Sequence, residues 1–230
     1  MNQLSQAFSK IPLTSARGAF LKKTYTILLQ AVGLFIAFEW FLFQAGFAKA
    51  ITQFVFGTSW LLIMGGLMLL SWFATHSIET ARSVEKQWVA LMAYIGGKAL
   101  IFCPMFYLIY STQGADIILG ACLATGAIFS ALTFLVLKQK QDFSFLGPAL
   151  SIGGICIIAL MIFSALFGLN LGTFFVVGMI GFSCLTILYD TSNMLLHFPE
   201  DKPVLAALHL FSSLTLLLWY VLQFFMSQRD

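Results

Sequence analysis

Residues 146–167 read LGPALSIGGICIIALMIFSALF, a stretch without a single charged side chain. A helix rises 1.5 Å per residue, so about 20 apolar residues cross the roughly 30 Å hydrocarbon core of a bilayer. The whole chain has a similar character, with 60% hydrophobic and 9% charged residues. Soluble domains have about 45–50% apolar and about 25% charged residues. The sequence therefore predicts an integral membrane protein.

Six further runs share this length and apolar character, which predicts a bundle of seven transmembrane helices in one membrane domain. None of the runs alternates apolar with polar residues, and each is about twice as long as a barrel strand. Helices also satisfy their backbone groups internally, as lipid requires. We expect an all-α protein with an amino-terminal tail (1–23), a membrane domain (24–225) and a short end (226–230). The seven runs are 24–45, 55–75, 88–110, 117–137, 146–167, 173–196 and 203–225.

Lysine and arginine are concentrated on one set of loops. By the positive-inside rule this side is cytoplasmic, so the amino terminus is predicted inside and the carboxyl terminus outside. The net charge of +3 is small and scattered, which gives no reason to expect nucleic acid as a partner. The predicted cytoplasmic side carries Lys10, Arg17, Lys22, Lys23, Arg82, Lys86, Lys138, Lys140 and Lys202, and the other side carries Lys49 and Arg229.

The four cysteines lie singly inside apolar runs, with neither a CxxC spacing nor a pair of histidines nearby. We therefore expect no metal site, no disulfide framework and no cofactor. Small side chains of the core are the expected role of Cys103, Cys122, Cys156 and Cys184.

Asp190, His209 and Ser213 are predicted to form a polar site inside the membrane. Holding an ionisable side chain there costs at least about 2.5–3.5 kcal/mol, which marks such residues as functional candidates. Asp190 and His209 lie at similar depths in the antiparallel sixth and seventh runs, and Ser213 follows His209 by one helical turn. We expect a proton-sensing or gating site, against the alternative that Asp190 only fixes helix packing.

Lys98 and Glu39 are the other ionisable residues at membrane depth. The long stem of Lys98 would let its ammonium reach towards Asp190, so Lys98 is a second candidate partner in the gating site. Glu39 stands beside Trp40, where an aromatic belt is expected at the outer interface. We expect Glu39 to be solvated at the surface.

An enzyme is not predicted. Ser213 and His209 share a helical face, as a nucleophile and base would, but no GxSxG or HExxH stretch accompanies them. Asp190 has no intramembrane aspartate as a partner for an aspartyl mechanism. The last run has no lysine for a Schiff base, which disfavours a retinal-type receptor.

Three stretches, 21–25 (LKKTY), 140–147 (KQDFSFLG) and 187–193 (ILYDTSN), resemble the Bax inhibitor family. The chain is most similar to the bacterial branch typified by YccA, a modulator of the membrane-anchored protease FtsH. The resemblance implies six helices around a central one, a bacterial inner-membrane location and, in several members, a calcium leak controlled by two acids that share a proton.

The first of those acids matches Asp190, whereas Ser213 stands where calcium-leaking relatives have the second aspartate. One carboxylate and a hydroxyl share a proton and bind Ca²⁺ less well than two carboxylates. The YccA-like branch is similar in having this serine, and its amino-terminal tail is thought to engage the protease. The resemblance thus implies a modulator of an FtsH-type protease, through the tail with its Pro12. The alternative is a proton-gated Ca²⁺ leak at Asp190.

Overall fold

The protein forms a membrane bundle of helices. The computed structural model describes residues 15–57, 60–81, 83–169 and 171–228, which contain eight helices and no strand. The helices are α1 (Ser15–Gln44), α2 (Phe47–Phe56), α3 (Trp60–Thr80), α4 (Val84–Thr112), α5 (Ala115–Gln139), α6 (Leu146–Phe167), α7 (Gly172–Leu196) and α8 (Pro203–Ser227).

Six of these helices, α1 and α4 to α8, are long and apolar enough to cross a membrane. Helix α6 has the predicted bounds, and α8 begins at the predicted residue. The predicted second span, 55–75, falls partly in α2 and mostly in α3, a helix of 21 residues. A count of seven spans therefore stays a prediction, and so does the orientation of the termini.

Helix α2 is an element that the sequence analysis did not predict. Gly46, with φ of 75°, turns the chain sharply after α1, a conformation that costs glycine little because it has no Cβ. One face of α2 buries Ala48 and Thr52, while Gln53 and Phe54 are exposed on the other. The helix packs on α4. It was missed because Lys49 and Gln53 interrupt the apolar run.

Helix α8 lies at the centre of the described bundle. It contacts α1, α3, α4, α5 and α7, and 72% of its most apolar segment is buried. A helix that is apolar all round is expected in such a position. Helix α6 is the opposite case, because it packs mainly on α7 and none of its residues is buried. In a bilayer, α6 therefore faces lipid.

Aromatic side chains pack α1 and α4 against the central helix α8. The Phe35 ring lies 5.3 Å from that of Phe102 and 6.0 Å from that of Phe211, both edge to face. Such pairs contribute about 0.5–1.5 kcal/mol beyond the area that they bury. This packing fixes the position of α8 relative to α1 and α4. The positions of the polar side chains of α8 are fixed with it.

Candidate functional site

Asp190 and Ser213 meet between α7 and the central helix. The Ser213 hydroxyl donates a hydrogen bond to Asp190 Oδ2. The same hydroxyl lies 3.0 Å from the carbonyl oxygen of His209, which is the usual acceptor for a serine inside a helix. A hydroxyl has one proton, so these two acceptors compete for it. Among the described residues, Ser213 is the one hydrogen-bond partner of Asp190.

His209 does not join Asp190, although the sequence placed them at one depth. Its ring packs against Phe198, with 5.9 Å between centroids. The ring lies one helical turn nearer the predicted cytoplasmic end than the Ser213 hydroxyl. There it meets the connection after α7 instead of Asp190.

Lys98 also stays away from Asp190. Its ammonium lies 5.5 Å from the centre of the Tyr94 ring, one turn earlier in α4, and forms no ion pair within the described chain. The Tyr94 hydroxyl donates to Ser212 Oγ at 3.0 Å, and Tyr94 is 1% exposed. Tyr94 therefore ties α4 to the residue beside Ser213. This contact was not predicted from the sequence, although the hydroxyl of a tyrosine in an apolar run needs a hydrogen-bond partner.

Three further hydroxyls lie inside the bundle, those of Tyr25 in α1, Thr133 in α5 and Thr191 in α7. Thr191 follows Asp190 in the chain and is fully buried. In the described part of the chain, none of these three hydroxyl oxygens has a hydrogen bond of standard geometry. Tyr25 and Thr191 belong to stretches that carried the family resemblance.

The connection between α5 and α6 is fastened to α7 immediately beyond Asp190. Ser192 Oγ accepts a hydrogen bond from the Phe143 amide at 2.8 Å and donates to the Gln141 carbonyl at 3.2 Å. Asp142 accepts hydrogen bonds from Ser144, and its Oδ2 lies 3.5 Å from His197 Nε2. The Ser144 hydrogen bonds, aided by His197, hold the pKa of Asp142 below its usual range. Residues 142–144 (DFS) therefore help to attach the α5–α6 connection to the end of α7.

Arg17 joins the start of α1 to the end of α7. Its guanidinium donates to the Phe198 carbonyl at 2.6 Å and lies 3.3 Å from the Glu200 carboxylate. It also stands over the Phe20 ring, 5.4 Å from its centre. A cation at a helix carboxyl terminus is favoured because the last carbonyls lack partners within the helix. Residues 15–23 form the first turns of α1, and their assignment to a cytoplasmic tail stays a prediction.

Glu39 is buried, so its expected solvation at the surface was wrong. It is 7% exposed, and neither carboxylate oxygen has a hydrogen-bond partner within the described residues. Trp40 beside it is 65% exposed, as the aromatic-belt argument expected. Consecutive residues of a helix point about 100° apart, so Trp40 can face outward while Glu39 faces α4 and α8. Apolar residues lie on all sides of α1, so their pattern does not indicate that the face with Glu39 is buried.

Comparison with known proteins identifies the family. A family model described as "Inhibitor of apoptosis-promoting Bax1" matches residues 17–230. An uncharacterized protein of Neisseria meningitidis is 26% identical over 210 residues, covering 87% of each chain. Lifeguard 4 of Mus musculus is 27% identical over 216 residues, covering 90% of this chain and 84% of its own. A BI1-like protein of Arabidopsis thaliana is 35% identical over 107 residues, covering 44% of this chain and 41% of its own. The chain thus belongs to the Bax inhibitor family of multi-pass membrane proteins.

Proposed function

We propose that this protein is a bacterial inner-membrane modulator that restrains a membrane-anchored, ATP-dependent protease of the FtsH type by direct contact. The observation that best supports this proposal is the set of contacts that Arg17 makes with Phe198 and Glu200, which we call the Arg17 clamp. It holds the start of α1 to the residues that follow α7. The first described residues of α1 are thereby held beside the α7–α8 connection. The clamp lies on the predicted cytoplasmic side, where the protease would meet both the amino-terminal segment and the α7–α8 connection.

The single acid at the Asp190 site supports a binding role more than a conducting one. Ca²⁺ takes six to eight oxygen ligands, typically from several carboxylates. Asp190 meets a serine hydroxyl where a second acid would be needed. The resemblance to the YccA-like branch implies a serine at this position. The hydrogen bond instead fastens α7 to α8, which keeps the predicted cytoplasmic ends of the bundle in register for a partner.

The test is to replace residues 1–14 with a glycine-serine segment of equal length, which leaves Arg17 and α1 intact. The segment's contacts with the protease are then lost. We expect affinity for the FtsH-type protease in nanodiscs to fall at least about tenfold, equivalent to about 1.4 kcal/mol. Inhibition of substrate turnover should fall with it. The matched control replaces the exposed Gln228 at the opposite terminus with serine. Unchanged binding and turnover in the tail variant would reject the proposal.

A proton-gated cation leak is the second candidate, supported by the Asp190–Ser213 hydrogen bond across two helices at membrane depth. Protonation of the carboxylate would change that bond and the contact between α7 and α8. Ca²⁺ flux into liposomes should then depend on pH in the wild type and lose this dependence in Asp190→Asn. Ser213→Asp should increase the flux by restoring a second carboxylate. Absence of flux at every pH, in wild type and Ser213→Asp alike, excludes the leak.

A further inference from the structure

A cavity on the far side of the bundle from the Arg17 clamp surrounds Glu39. It has a volume of about 540 Å³ and is enclosed by α1, α4, α5 and α8. This size lies within the range of pockets for small organic ligands, about 300–1,000 Å³. Its walls are almost wholly apolar, with Phe35, Phe43, Phe106 and Phe211 supplying aromatic surface. We propose that it binds a lipid-soluble organic amine, whose ammonium pairs with Glu39 and whose apolar body fills the cavity.

The Glu39 carboxylate is the feature that selects a cation. It is more than nine-tenths buried, it lines the cavity, and both of its oxygens are without hydrogen-bond partners among the described residues. A carboxylate in such a setting is costly unless an opposite charge accompanies it. The Thr125 hydroxyl of α5 also lines the cavity, is buried and lacks a partner among the described residues. An ammonium group has three N–H bonds, so it can donate to Glu39 and still has donors for a second acceptor.

The walls favour an organic cation over a metal ion. Besides Glu39 and Thr125, the polar side-chain oxygen at the cavity belongs to Thr215, which already donates within α8. Ca²⁺ and Mg²⁺ require about six oxygen ligands, far more than these side chains provide. Aromatic faces attract an ammonium through their quadrupoles and also accommodate an alkyl or aromatic body. One charge in an apolar enclosure is thus complementary to an amphiphilic amine.

Access to the cavity is from the side of the bundle, between α1 and α5. Ile36 and Trp40 on α1 are 61% and 65% exposed, and Cys122 and Gly126 on α5 are exposed as well. All four line the cavity, so its rim opens on the surface that faces lipid. A ligand dissolved in the membrane can reach Glu39 by this route. A purely water-soluble polyamine would have to cross the apolar rim with its charges exposed.

The test uses the Cys122 thiol as a reporter at the rim. Purified protein in phosphatidylcholine nanodiscs is alkylated with N-ethylmaleimide, with dodecylamine or dodecanol present, and modification is quantified by peptide mass spectrometry. Cys156 on lipid-facing α6 is exposed but lies away from the cavity, so it is the internal reference. We expect dodecylamine to slow alkylation of Cys122 at least about tenfold more strongly than dodecanol, which matches about 1.4 kcal/mol of selectivity. Cys156 should be unaffected.

Two variants separate charge recognition from simple filling of an apolar space. Glu39→Gln should abolish the preference for the amine, whereas the exposed Glu85→Gln should retain it. A Cβ at Gly126 would meet no atom within 4 Å, so Gly126→Leu should fold and obstruct the cavity, removing protection by either compound. Equal protection by amine and alcohol in the wild type would overturn the proposal, even if Glu39→Gln failed to fold. So would an undiminished amine preference in Glu39→Gln.

Discussion

Within the described residues, two hydrogen bonds between side chains inside the bundle join one helix to another. Ser213 connects α8 to Asp190 of α7, and Tyr94 connects α4 to Ser212. Hydrogen bonds between transmembrane helices contribute about 0.6 kcal/mol on average and about 1.7 kcal/mol at most, because the unfolded chain in a membrane also finds partners. These bonds therefore specify which faces meet, while apolar packing supplies most of the stability.

Replacing Ser213 with alanine leaves the Asp190 carboxylate without its partner. We expect the free energy of unfolding in bicelles to fall by about 0.6–1.7 kcal/mol, the range measured for such bonds in membranes. The matched control is Ser130→Ala, which removes an exposed hydroxyl from α5. If both variants unfold at the same denaturant concentration as the wild type, the hydrogen bond does not contribute to the fold.

At the scale of elements, sequence-based reasoning succeeded where a helix is defined by local composition. Helix α6 lies in an uninterrupted apolar run and was predicted residue for residue, because length and hydropathy alone decide whether it spans a membrane. It failed for α2, whose burial of Ala48 and Thr52 depends on packing against α4. The division between tail and membrane domain at residue 23 stays a prediction, although α1 begins at Ser15 and Arg17 contacts the residues after α7.

Arg17→Ala should loosen the first turns of α1. Hydrogen bonds to a charged group contribute about 1.5–3 kcal/mol, and this guanidinium reaches both the Phe198 carbonyl and Glu200. We expect amide hydrogen exchange in residues 15–23 to accelerate at least about tenfold, or about 1.4 kcal/mol of local stability. Exchange in α6 should be unchanged.

Lys22→Ala is the control for Arg17→Ala, since Lys22 is exposed on the same helix. An acceleration of equal size in both variants would show that the basic residues act by charge alone and not through the clamp. Arg17→Lys should be intermediate, because an ammonium lacks the planar fork that contacts both groups at once.

At the scale of the whole molecule, one buried helix organises the others. Helix α8 touches five neighbours, whereas α6 at the periphery buries no residue. The Asp190 site and the Glu39 cavity lie on different faces of one stretch of the central helix, since Ser213 bonds to Asp190 and Thr215, two residues later, lines the cavity. A change in the packing of α8 can therefore affect both the Asp190 site and the Glu39 cavity.

The predicted topology places the α7–α8 connection inside the cell and the end of α8 outside, because lysine and arginine mark the cytoplasmic loops. A membrane-impermeant maleimide applied to intact spheroplasts should thus label Gln228→Cys and leave Asp201→Cys unlabelled until the membrane is opened. Both positions are exposed. The reverse pattern would invert the orientation, and labelling of both from one side would require an even number of spans between residues 201 and 228.

The sequence by itself determined the membrane class, the helical fold and, to within about two residues, the bounds of α5 to α8, because apolar length and backbone hydrogen bonding are local properties of each run. It also singled out Asp190, His209, Ser213 and Lys98 as one polar site, within which Asp190 and Ser213 do meet. Only the tertiary structure decided that His209 and Lys98 lie apart from that pair and that Glu39 is enclosed. The direction in which a side chain leaves its helix, and the neighbour that it meets there, depend on how distant helices pack. The residue pattern of a single apolar run does not predict that packing.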